Sequence, residues 1–307
     1  MKAAYFMKHG GPEVMQYGDV PDPVAGPGQV LVDVHAASVN GADWKVRAGS
    51  YAPITAVPYV PGRDFSGVVA ALGEGVKDFA VGDAVFGVCD VGQEQAYAEK
   101  VAIRAAIVAR KPAGLTHAQC AALALTGLTA LVSIEDTLRL KSGETILIQG
   151  GAGGVAGFAI QLAKHIGAQV ITTASAANLD YVRGLGADRI IDYRAEDFTK
   201  AVTGCDAVFD TVGGDVAMRS FTVLRPGGRA AFIASGNNAP ASPRADVVSL
   251  RPKVGRDRAH LDRIAALVTS GAVKAPEITL YPLAEAAKAH AVSEGRHLRG
   301  KLVFRVR

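Results

Sequence analysis

The stretch Gln149-Gly-Gly-Ala-Gly-Gly-Val-Ala-Gly157 lies between two different hydrophobic patterns. Before it, Thr145-Ile-Leu-Ile148 is a short, β-branched apolar run of the kind found in buried parallel strands. After it, apolar residues recur at helical spacing. A glycine-rich turn between a strand and a helix lets backbone N–H groups approach an anionic phosphate. The pattern therefore predicts a dinucleotide-binding unit, in which Gly151, Gly153 and Ala156 fit the fingerprint G-x-G-x-x-G/A.

Strand and helix patterns alternate along the chain from Thr145 onward. The predicted strands are residues 145–149, 169–174, 189–192, 206–211 and 228–234. This alternation is typical of a doubly wound parallel sheet, the Rossmann fold. The expected fold class is therefore α/β.

A second, β-rich domain is predicted from the rest of the chain. Residues 1 to 118 contain short apolar runs separated by turns rich in proline and glycine. The C-terminal run Lys301-Leu-Val-Phe-Arg-Val306 alternates like a strand and is expected to rejoin them. We therefore predict a discontinuous β-rich domain of residues 1–118 and 262–307, with the Rossmann domain at 119–261.

Composition excludes several classes of protein. Of the 307 residues, 49% are hydrophobic and 20% are charged, as in soluble globular proteins. The net charge of +4 is spread along the chain, which argues against a nucleic-acid groove. The longest apolar stretch, 118–134, contains glutamine, glycine and threonine and is expected to be buried helix rather than a membrane span. Three widely separated cysteines and no recognisable signal sequence predict reduced thiols and a cytoplasmic protein.

The residues after the second predicted strand bear on the choice of cofactor. A carboxylate about 20 residues after the glycines usually binds the adenosine ribose and repels a 2′-phosphate. No acidic residue lies between Glu144 and Asp180, whereas Ser175 and Asn178 offer hydroxyl and amide donors. This pattern favours NADP(H) over NAD(H). No lysine or arginine stands beside Ser175 in the sequence, and Ser175 and Asn178 have an alternative role in capping the next helix.

Several further motifs extend over nearly the whole chain. They are Pro27-Gly-Gln-Val-Leu-Val32, Ala37-Ser-Val-Asn-Gly-Ala-Asp43, Arg47-Ala-Gly49, Pro61-Gly-Arg-Asp-Phe-Ser-Gly67, Gly82-Asp-Ala-Val-Phe-Gly87, Thr126-Gly-Leu-Thr-Ala130, Gly186-Ala187, Ile191-Asp-Tyr193 and Gly300-Lys301. Together with the glycine-rich turn they resemble the medium-chain dehydrogenase/reductase superfamily, in its zinc-less quinone oxidoreductase (zeta-crystallin-like) branch. The resemblance implies a GroES-like fold for the β-rich domain and a homodimer formed through the edge of the nucleotide-binding sheet.

Residue types at two positions argue against zinc. Zinc-dependent members of the superfamily have a cysteine where this chain has Asn40 and a His-Glu pair where it has Arg63-Asp64. Neither asparagine nor arginine is a usual zinc ligand, and the four-cysteine structural lobe is missing. We therefore predict that no metal is bound. Without a Lewis acid, alcohol oxidation is disfavoured, and the expected reaction is hydride transfer to a quinone or an α,β-unsaturated carbonyl.

The resemblance also implies a set of residues that contact the cofactor. They are Gly151, Gly153, Gly154 and Val155 at the pyrophosphate, Ser175, Asn178 and Tyr193 around the 2′-phosphate and adenosine, Phe232 and Ala234 near the nicotinamide, and Lys301 closing over the cofactor. Besides Ser175 and Asn178, two of these have structural alternatives. Tyr193 is equally explained as an ordinary aromatic residue at a strand end, and Lys301 as a solvated residue at a strand edge.

Asn40, Tyr51 and Thr126 are the candidate catalytic residues implied by the resemblance. Asn40 and Thr126 are expected at the nicotinamide end of the cofactor, although each has an alternative role at the start of a helix. The branch often has a tyrosine where this chain has Lys45. By the same resemblance Tyr51 matches a further tyrosine of the pocket, whose phenol could donate a hydrogen bond to a developing enolate or quinol oxygen, while water is an alternative proton source.

A short helix is predicted between Asn40 and Gly49, with an ion pair between Asp43 and Arg47 at positions i and i+4. For the whole chain, the leading hypothesis is an NADPH-dependent reductase of quinones or α,β-unsaturated carbonyls. The alternatives are a non-catalytic NADPH-binding sensor or structural protein, and a zinc alcohol dehydrogenase.

Overall fold

The structure is a computed structural model that describes residues 1–51, 53–54, 56–90, 92–236 and 238–307. The chain divides into two compact units. The β-rich unit comprises Met1–Leu125, Arg256–Thr269 and Ala275–Arg307, and the Rossmann unit comprises Thr126–Gly255 and Ser270–Lys274. The division after Leu125 falls inside a helix, so no linker composition marks it in the sequence.

In the described residues the strands are β1 (Lys2–Tyr5), β2 (Gln16–Asp19), β3 (Gln29–Ser38), β4 (Asp64–Leu72), β5 (Ala84–Val88), β6 (Lys100–Arg104), β7 (Val108–Arg110), β8 (Thr145–Gln149), β9 (Gln169–Ala174), β10 (Arg189–Asp192), β11 (Cys205–Asp210), β12 (Leu224–Phe232), β13 (Val248–Leu250), β14 (Ile278–Pro282) and β15 (Lys301–Arg305). The α-helices are α1 (Gly41–Arg47), α2 (His117–Leu131), α3 (Gly154–Ile166), α4 (Leu179–Gly184), α5 (Phe198–Ala201), α6 (Asp215–Arg219), α7 (Arg258–Thr269) and α8 (Ala286–Glu294). Helix α2 continues into a π-helical turn at Val132–Thr137, and short 3₁₀ turns occur at Pro12–Val14, Ala105–Ile107, Ala176–Asn178, Ser220–Val223 and Leu283–Glu285.

The Rossmann unit contains a six-stranded sheet in the order β10-β9-β8-β11-β12-β13, in which the paired strands run parallel. The chain starts in the middle at β8, winds outward to β10, and returns to build the other half from β11. This is the doubly wound arrangement, so the predicted fold class is confirmed. Ligands of such sheets bind where the strand order reverses, at the carboxyl ends of the two central strands, here β8 and β11.

The β-rich unit contains a seven-stranded sheet, with β14-β15-β3-β4-β5-β7 in order and β6 also paired with β3. The C-terminal strand β15 pairs antiparallel with β3 and parallel with β14, so it lies inside the sheet and not at its edge. Buried valines of β3 and aromatic side chains such as Phe65 and Phe304 form the core of this unit. The start of β15 is thereby held next to the end of β3.

Among the described residues, one helical segment, His117–Thr137, is long and apolar enough to cross a membrane by length and composition alone. Within its most apolar window, 78% is buried inside the protein. Such burial is typical of a core helix, because apolar residues on all sides of a helix need cover from other protein.

Helix α1 forms as expected, but the predicted ion pair between Asp43 and Arg47 is wrong. Arg47 is fully buried and donates instead to Glu294, at 2.8 Å. Asp43 accepts hydrogen bonds from the Tyr97 hydroxyl at 2.8 Å and from the backbone N–H of Asn40 at 2.9 Å. The i, i+4 rule describes side chains on a solvated helix face, whereas both of these side chains are buried among tertiary partners.

Candidate functional site

The glycine-rich turn follows β8 and depends on glycine for two different reasons. Gly150 has a φ of +78°, in the left-handed region that favours glycine. Gly151 does not, but a Cβ there would lie 2.4 Å from the Thr172 hydroxyl oxygen. Close packing between the turn and β9 therefore leaves no room for a side chain at Gly151.

Helix α3 begins directly after this turn, with Gly153 as its N-cap residue. The first helical hydrogen bond runs from the Gly157 N–H to the Gly153 carbonyl, at 2.8 Å. The N–H groups of Gly154 and Val155 precede that bond and have no partner within the helix. Since the helix dipole adds positive potential at the same end, the turn fits the anionic pyrophosphate of a dinucleotide.

A chain of buried side-chain hydrogen bonds connects the glycine-rich turn to the neighbouring elements. The Thr173 hydroxyl accepts from the Gly150 N–H at 3.1 Å and donates to the Gln149 side-chain oxygen at 2.7 Å. The Gln149 side-chain nitrogen in turn donates to Ser220 at 3.1 Å. Sequence reasoning missed these supports because a polar residue in a buried strand carries no local signal for its partner.

Ser175 and Asn178 lie just beyond the end of β9. The Asn178 side-chain nitrogen donates to the Ser175 hydroxyl at 3.2 Å. Both residues occupy N-cap positions, as the capping alternative expects, but neither side chain makes a capping hydrogen bond. Both groups are instead held together where the neighbouring strand also ends.

The register of β9 and β10 brings a basic residue to this place. Asp192 pairs with Ala174, and the Tyr193 N–H donates to the Ala174 carbonyl at 3.3 Å. The Tyr193 side chain is 47% exposed, and the Arg194 guanidinium lies 5.8 Å from the centre of its ring. Arg194 therefore follows β10 at the place where β9 also ends. Because Arg194 and Ser175 are far apart in the sequence, the residues around Ser175 do not predict this basic residue.

Residues at the carboxyl ends of β11 and β12 follow the strands on the other side of β8 from β9. The buried Asp210 carboxylate, at the end of β11, accepts the N–H groups of Val212 at 3.2 Å and Gly213 at 2.9 Å. Burial raises the pKa of Asp210. Phe232, at the end of β12, is fully buried against the Phe221 ring, so its side chain belongs to the core. Ala234 follows it and is half-buried.

Thr126 lies in the interior of α2 and is almost fully buried. The alternative that it begins a helix is wrong, because α2 begins at His117. By its assignment Thr126 belongs to the Rossmann unit, together with the glycine-rich turn, whereas Asn40, Tyr51 and Lys301 belong to the β-rich unit.

Asn40 and Lys301 are brought into direct contact within the β-rich unit. The Lys301 ammonium donates to the Asn40 side-chain oxygen at 2.8 Å and to the Val39 carbonyl at 2.7 Å. The Asn40 side-chain nitrogen donates to Asp64 at 2.9 Å and to the Ser38 carbonyl at 3.3 Å. Lys301 is only 6% exposed, so the alternative of a solvated strand-edge lysine is wrong. Asn40 is also the N-cap residue of α1, as its alternative role at the start of a helix predicts, and its backbone N–H donates to the Asp43 carboxylate at 2.9 Å in a capping box.

Tyr51 is 45% exposed and lies against Arg63, whose guanidinium is 4.8 Å from the centre of the ring. Arg63 itself is buried and pairs with Glu94 at 3.3 Å and, more loosely, with Asp43 at 3.7 Å. Burial raises the pKa of Asp43 to about 6, and the charge of Arg63 partly opposes that rise. Ala52 and Thr55 in the following segment lie outside the described residues.

The described part of the chain offers few potential metal ligands in one place. There, no group of three or more His, Cys, Asp or Glu side chains is arranged to hold a metal ion. Asn40 and Arg63 stand where the resemblance would require a thiolate and an imidazole, and both side chains are engaged in hydrogen bonds or ion pairs. That the protein works without zinc stays a prediction based on these residue types.

Two family models match the chain. One, described as the alcohol dehydrogenase GroES-like domain, matches residues 26–125, and the other, described as zinc-binding dehydrogenase, matches residues 185–304. The first match confirms the GroES-like fold expected for the β-rich part.

Curated relatives cover the chain almost completely. A quinone oxidoreductase of Pseudomonas aeruginosa is 32% identical over 99% of this chain and 99% of its own length. The chloroplastic NADPH-dependent alkenal/one oxidoreductase of Arabidopsis thaliana is 33% identical over 99% of this chain and 79% of its own. Two other relatives are longer, and the chain spans 14% of a Mycobacterium tuberculosis polyketide synthase and 64% of a Solanum lycopersicum 2-methylene-furan-3-one reductase.

Solved structures share the fold over the whole chain. Escherichia coli quinone oxidoreductase in complex with NADPH has a TM-score of 0.91 at 28% identity, covering 100% of both chains. A structure described as an NAD-dependent alcohol dehydrogenase has a TM-score of 0.93 at 32% identity, again covering 100% of both chains. These similarities support a nicotinamide cofactor and an oxidoreductase.

Proposed function

We propose that this chain, which belongs to the medium-chain dehydrogenase/reductase superfamily and is quinone oxidoreductase-like, transfers hydride from NADPH to a quinone or an α,β-unsaturated carbonyl. The observation that carries the proposal is the glycine-rich turn opening onto the N-terminus of α3, which fits a dinucleotide pyrophosphate. The names of relatives that match over almost the whole chain support the class of acceptor. The domain boundaries at 118/119 and 261/262 remain part of this proposal.

The preference for NADPH rests on the chain's own residues. No acidic residue lies between Glu144 and Asp180 to repel a 2′-phosphate directly after β9, and the polar side chains of Ser175 and Asn178 make no capping hydrogen bonds to the helical turns after them. Arg194 adds the positive charge that the sequence alone did not offer. A phosphate held by hydroxyl, amide and guanidinium donors is a favourable arrangement, because charge-assisted hydrogen bonds are the stronger kind.

In the proposed reaction the nicotinamide supplies the hydride, and the side chains of the protein bind and orient the reactants. Gly151, Gly153, Gly154 and Val155 are assigned to the pyrophosphate, and Ser175, Asn178 and Tyr193 to the adenosine end. Phe232, Ala234 and Thr126 are assigned to the nicotinamide end, and so are Asn40 and Lys301. The hydroxyl of Tyr51 is assigned to the acceptor oxygen that gains negative charge, where a hydrogen-bond donor lowers the barrier.

We also propose a cytoplasmic homodimer that binds neither membrane nor nucleic acid. The three cysteines are buried and unpaired, as expected for a reducing compartment. Strand β13 is one of the two outer strands of the Rossmann sheet, and its Val248 is 52% exposed. An open sheet edge of this kind suits pairing with a second copy of the chain.

The test is a panel of quinones and α,β-unsaturated carbonyls assayed with NADPH and with NADH, together with metal analysis of the purified protein. We expect turnover of at least one acceptor class with NADPH, weaker activity with NADH, and no stoichiometric zinc. NADPH binding and thermal stabilisation without turnover of any acceptor would favour the non-catalytic alternative. Stoichiometric zinc with alcohol oxidation would contradict the proposal altogether.

A further inference from the structure

The junction between β14 and β15 fixes where Lys301 begins its strand. Gly300 has a φ of +67°, and a Cβ there would lie 2.1 Å from the Glu277 carbonyl oxygen. The Lys301 N–H donates to that same carbonyl at 2.8 Å. Only glycine allows the backbone at position 300 to lie so close to the Glu277 carbonyl, and this contact fixes the position of Lys301 in the fold.

That place is the end of β3, where the chain leaves the sheet to enter α1. The Lys301 ammonium takes the Val39 carbonyl and the Asn40 side-chain oxygen as acceptors. A buried ammonium needs a compensating charge nearby. Asp64 supplies it from the start of β4, as a fully buried carboxylate on the other side of the Asn40 amide.

The Asn40 amide is therefore held between a cation and an anion. Its oxygen faces the Lys301 ammonium, and its nitrogen faces the Asp64 carboxylate. The reversed amide would place its N–H groups against an ammonium and its oxygen against a carboxylate, so this orientation is fixed. The second N–H is used by the Ser38 carbonyl, at 3.3 Å.

The Asn40 side chain has little hydrogen-bonding capacity left for a ligand. A side-chain amide has two N–H donors and two acceptor lone pairs on its oxygen. Both donors of Asn40 are occupied by Ser38 and Asp64, and one lone pair is occupied by Lys301. Asn40 can offer a ligand only the second lone pair, so it is available as an acceptor and not as a donor.

We propose that Lys301 is a positioning residue that acts through Asn40, fixing the amide so that it presents an acceptor oxygen. The inference rests on the proposed function, in which Asn40 lies at the nicotinamide end of the cofactor. An acceptor there is complementary to the N–H₂ group of the nicotinamide carboxamide. In this role Lys301 lies at the nicotinamide end but contributes to hydride transfer by holding Asn40, in place of the direct cofactor contact that the resemblance implies.

Kinetics of four variants test the proposal. Lys301→Met removes the donor, Asn40→Ala removes the amide, and the double variant removes both. Lys100→Met is the matched control, because Lys100 pairs with Asp33 at 2.8 Å in the same unit, on the strand β6 that pairs with β3. We expect Lys301→Met to lower kcat about tenfold, since misplacing an orienting group costs up to on the order of a hundredfold. The control should keep kcat within about twofold, because a partly exposed ion pair away from Asn40 contributes little.

The double variant separates positioning from direct contact. If Lys301 acts through Asn40, the double variant is no slower than Asn40→Ala alone. Losses that multiply would mean that Lys301 contacts the cofactor independently, and would overturn the proposal. Unchanged kcat in Lys301→Met at full NADPH saturation would overturn it as well. Should Lys301→Met fail to fold, Lys301→Met combined with Asp64→Asn removes both buried charges. Because Asp64 also holds the Asn40 amide, this double variant is compared with Asp64→Asn alone, and its kcat is expected to be about tenfold lower.

A spectroscopic readout distinguishes failure of this inference from failure of the proposed function. In ¹⁵N-labelled protein, the side-chain NH₂ signals of Asn40, assigned by their loss in Asn40→Ala, should exchange slowly with solvent. They should shift and exchange faster in Lys301→Met but not in Lys100→Met. Rapid exchange in the unaltered protein would overturn the fixed amide whatever the enzyme reduces. A fixed amide in a protein that reduces no acceptor would contradict only the proposed function.

Discussion

Replacing Gly151 by alanine tests whether space alone explains the glycine at this position. The added Cβ would lie 2.4 Å from the Thr172 hydroxyl oxygen, 3.1 Å from its methyl group and 3.2 Å from a Val182 methyl group. Thr172 is fully buried, and its hydroxyl donates to the Ile148 carbonyl at 2.6 Å, so it cannot rotate away without losing a hydrogen bond.

The expected cost follows from these contacts. Overpacking a buried site costs about 1–3 kcal/mol, and losing the Thr172 hydrogen bond adds about 1 kcal/mol. We therefore expect Gly151→Ala to lower the free energy of unfolding of the Rossmann unit by about 2–4 kcal/mol. Because the turn must move, NADPH affinity should fall as well.

Thermal unfolding with and without NADPH, combined with titration of NADPH by fluorescence, measures both effects. Gly184→Ala is the control, because nothing lies within 4 Å of a Cβ at Gly184. Thr172→Ala removes the atoms that clash, so combining it with Gly151→Ala should cost less than the sum of the two single changes. Wild-type unfolding and NADPH affinity in Gly151→Ala would refute the reasoning, and strictly additive losses would show that Gly151 is needed for something other than this contact.

Three further outcomes are expected. Ser175→Asp should weaken NADPH binding at least about fivefold while sparing NADH, since the repulsion of two surface charges costs on the order of 1 kcal/mol. Arg194→Ala should weaken only NADPH binding, by about threefold. Equal effects on both cofactors in a binding titration would contradict the assignment of the 2′-phosphate. Burial lowers the pKa of His290 to about 3. Below about pH 6.5 the unfolded chain therefore takes up a proton at this histidine that the folded protein does not bind. The free energy of unfolding should then fall as the pH is lowered, by about 2 kcal/mol between pH 7 and 5. His290→Leu should remove this loss in urea titrations and the exposed His165→Leu should not; parallel pH profiles for His290→Leu and the unaltered protein would disprove the linkage. Val248→Arg on the β13 edge should reduce the mass measured by light scattering from a dimer to a monomer, and an unchanged dimer would show that another surface joins the subunits.

The Rossmann part of the fold could be predicted because its signals are local. The apolar run before Gln149 and the helical spacing after Gly157 are adjacent in the sequence, and each is set by its own periodicity. The glycine-rich turn belongs to the same class of signal, since its requirement for glycine follows from the backbone and one neighbouring strand.

The parts that could not be predicted depend on residues far apart in the sequence. From the sequence alone, Lys301 is predicted to be a surface residue. In the structure β15 lies between β14 and β3, and the Lys301 ammonium donates a hydrogen bond to Asn40. Arg194 follows β10, which ends beside the end of β9 only because the two strands pair in parallel, with Asp192 opposite Ala174. Arg47 has a suitable partner one helical turn away, but tertiary packing gives it Glu294 instead.

The hydrogen bonds that join Gly150, Thr173, Gln149 and Ser220 run between protein groups alone. The turn is therefore ordered when the chain folds, and the entropy lost in ordering it does not reduce the affinity for the cofactor. In such a preorganised turn, the N–H groups of Gly150 and Gly151 should be protected from hydrogen exchange even before NADPH is added. Adding the cofactor should then change their protection little, while slowing exchange at Gly154 and Val155 at the start of α3.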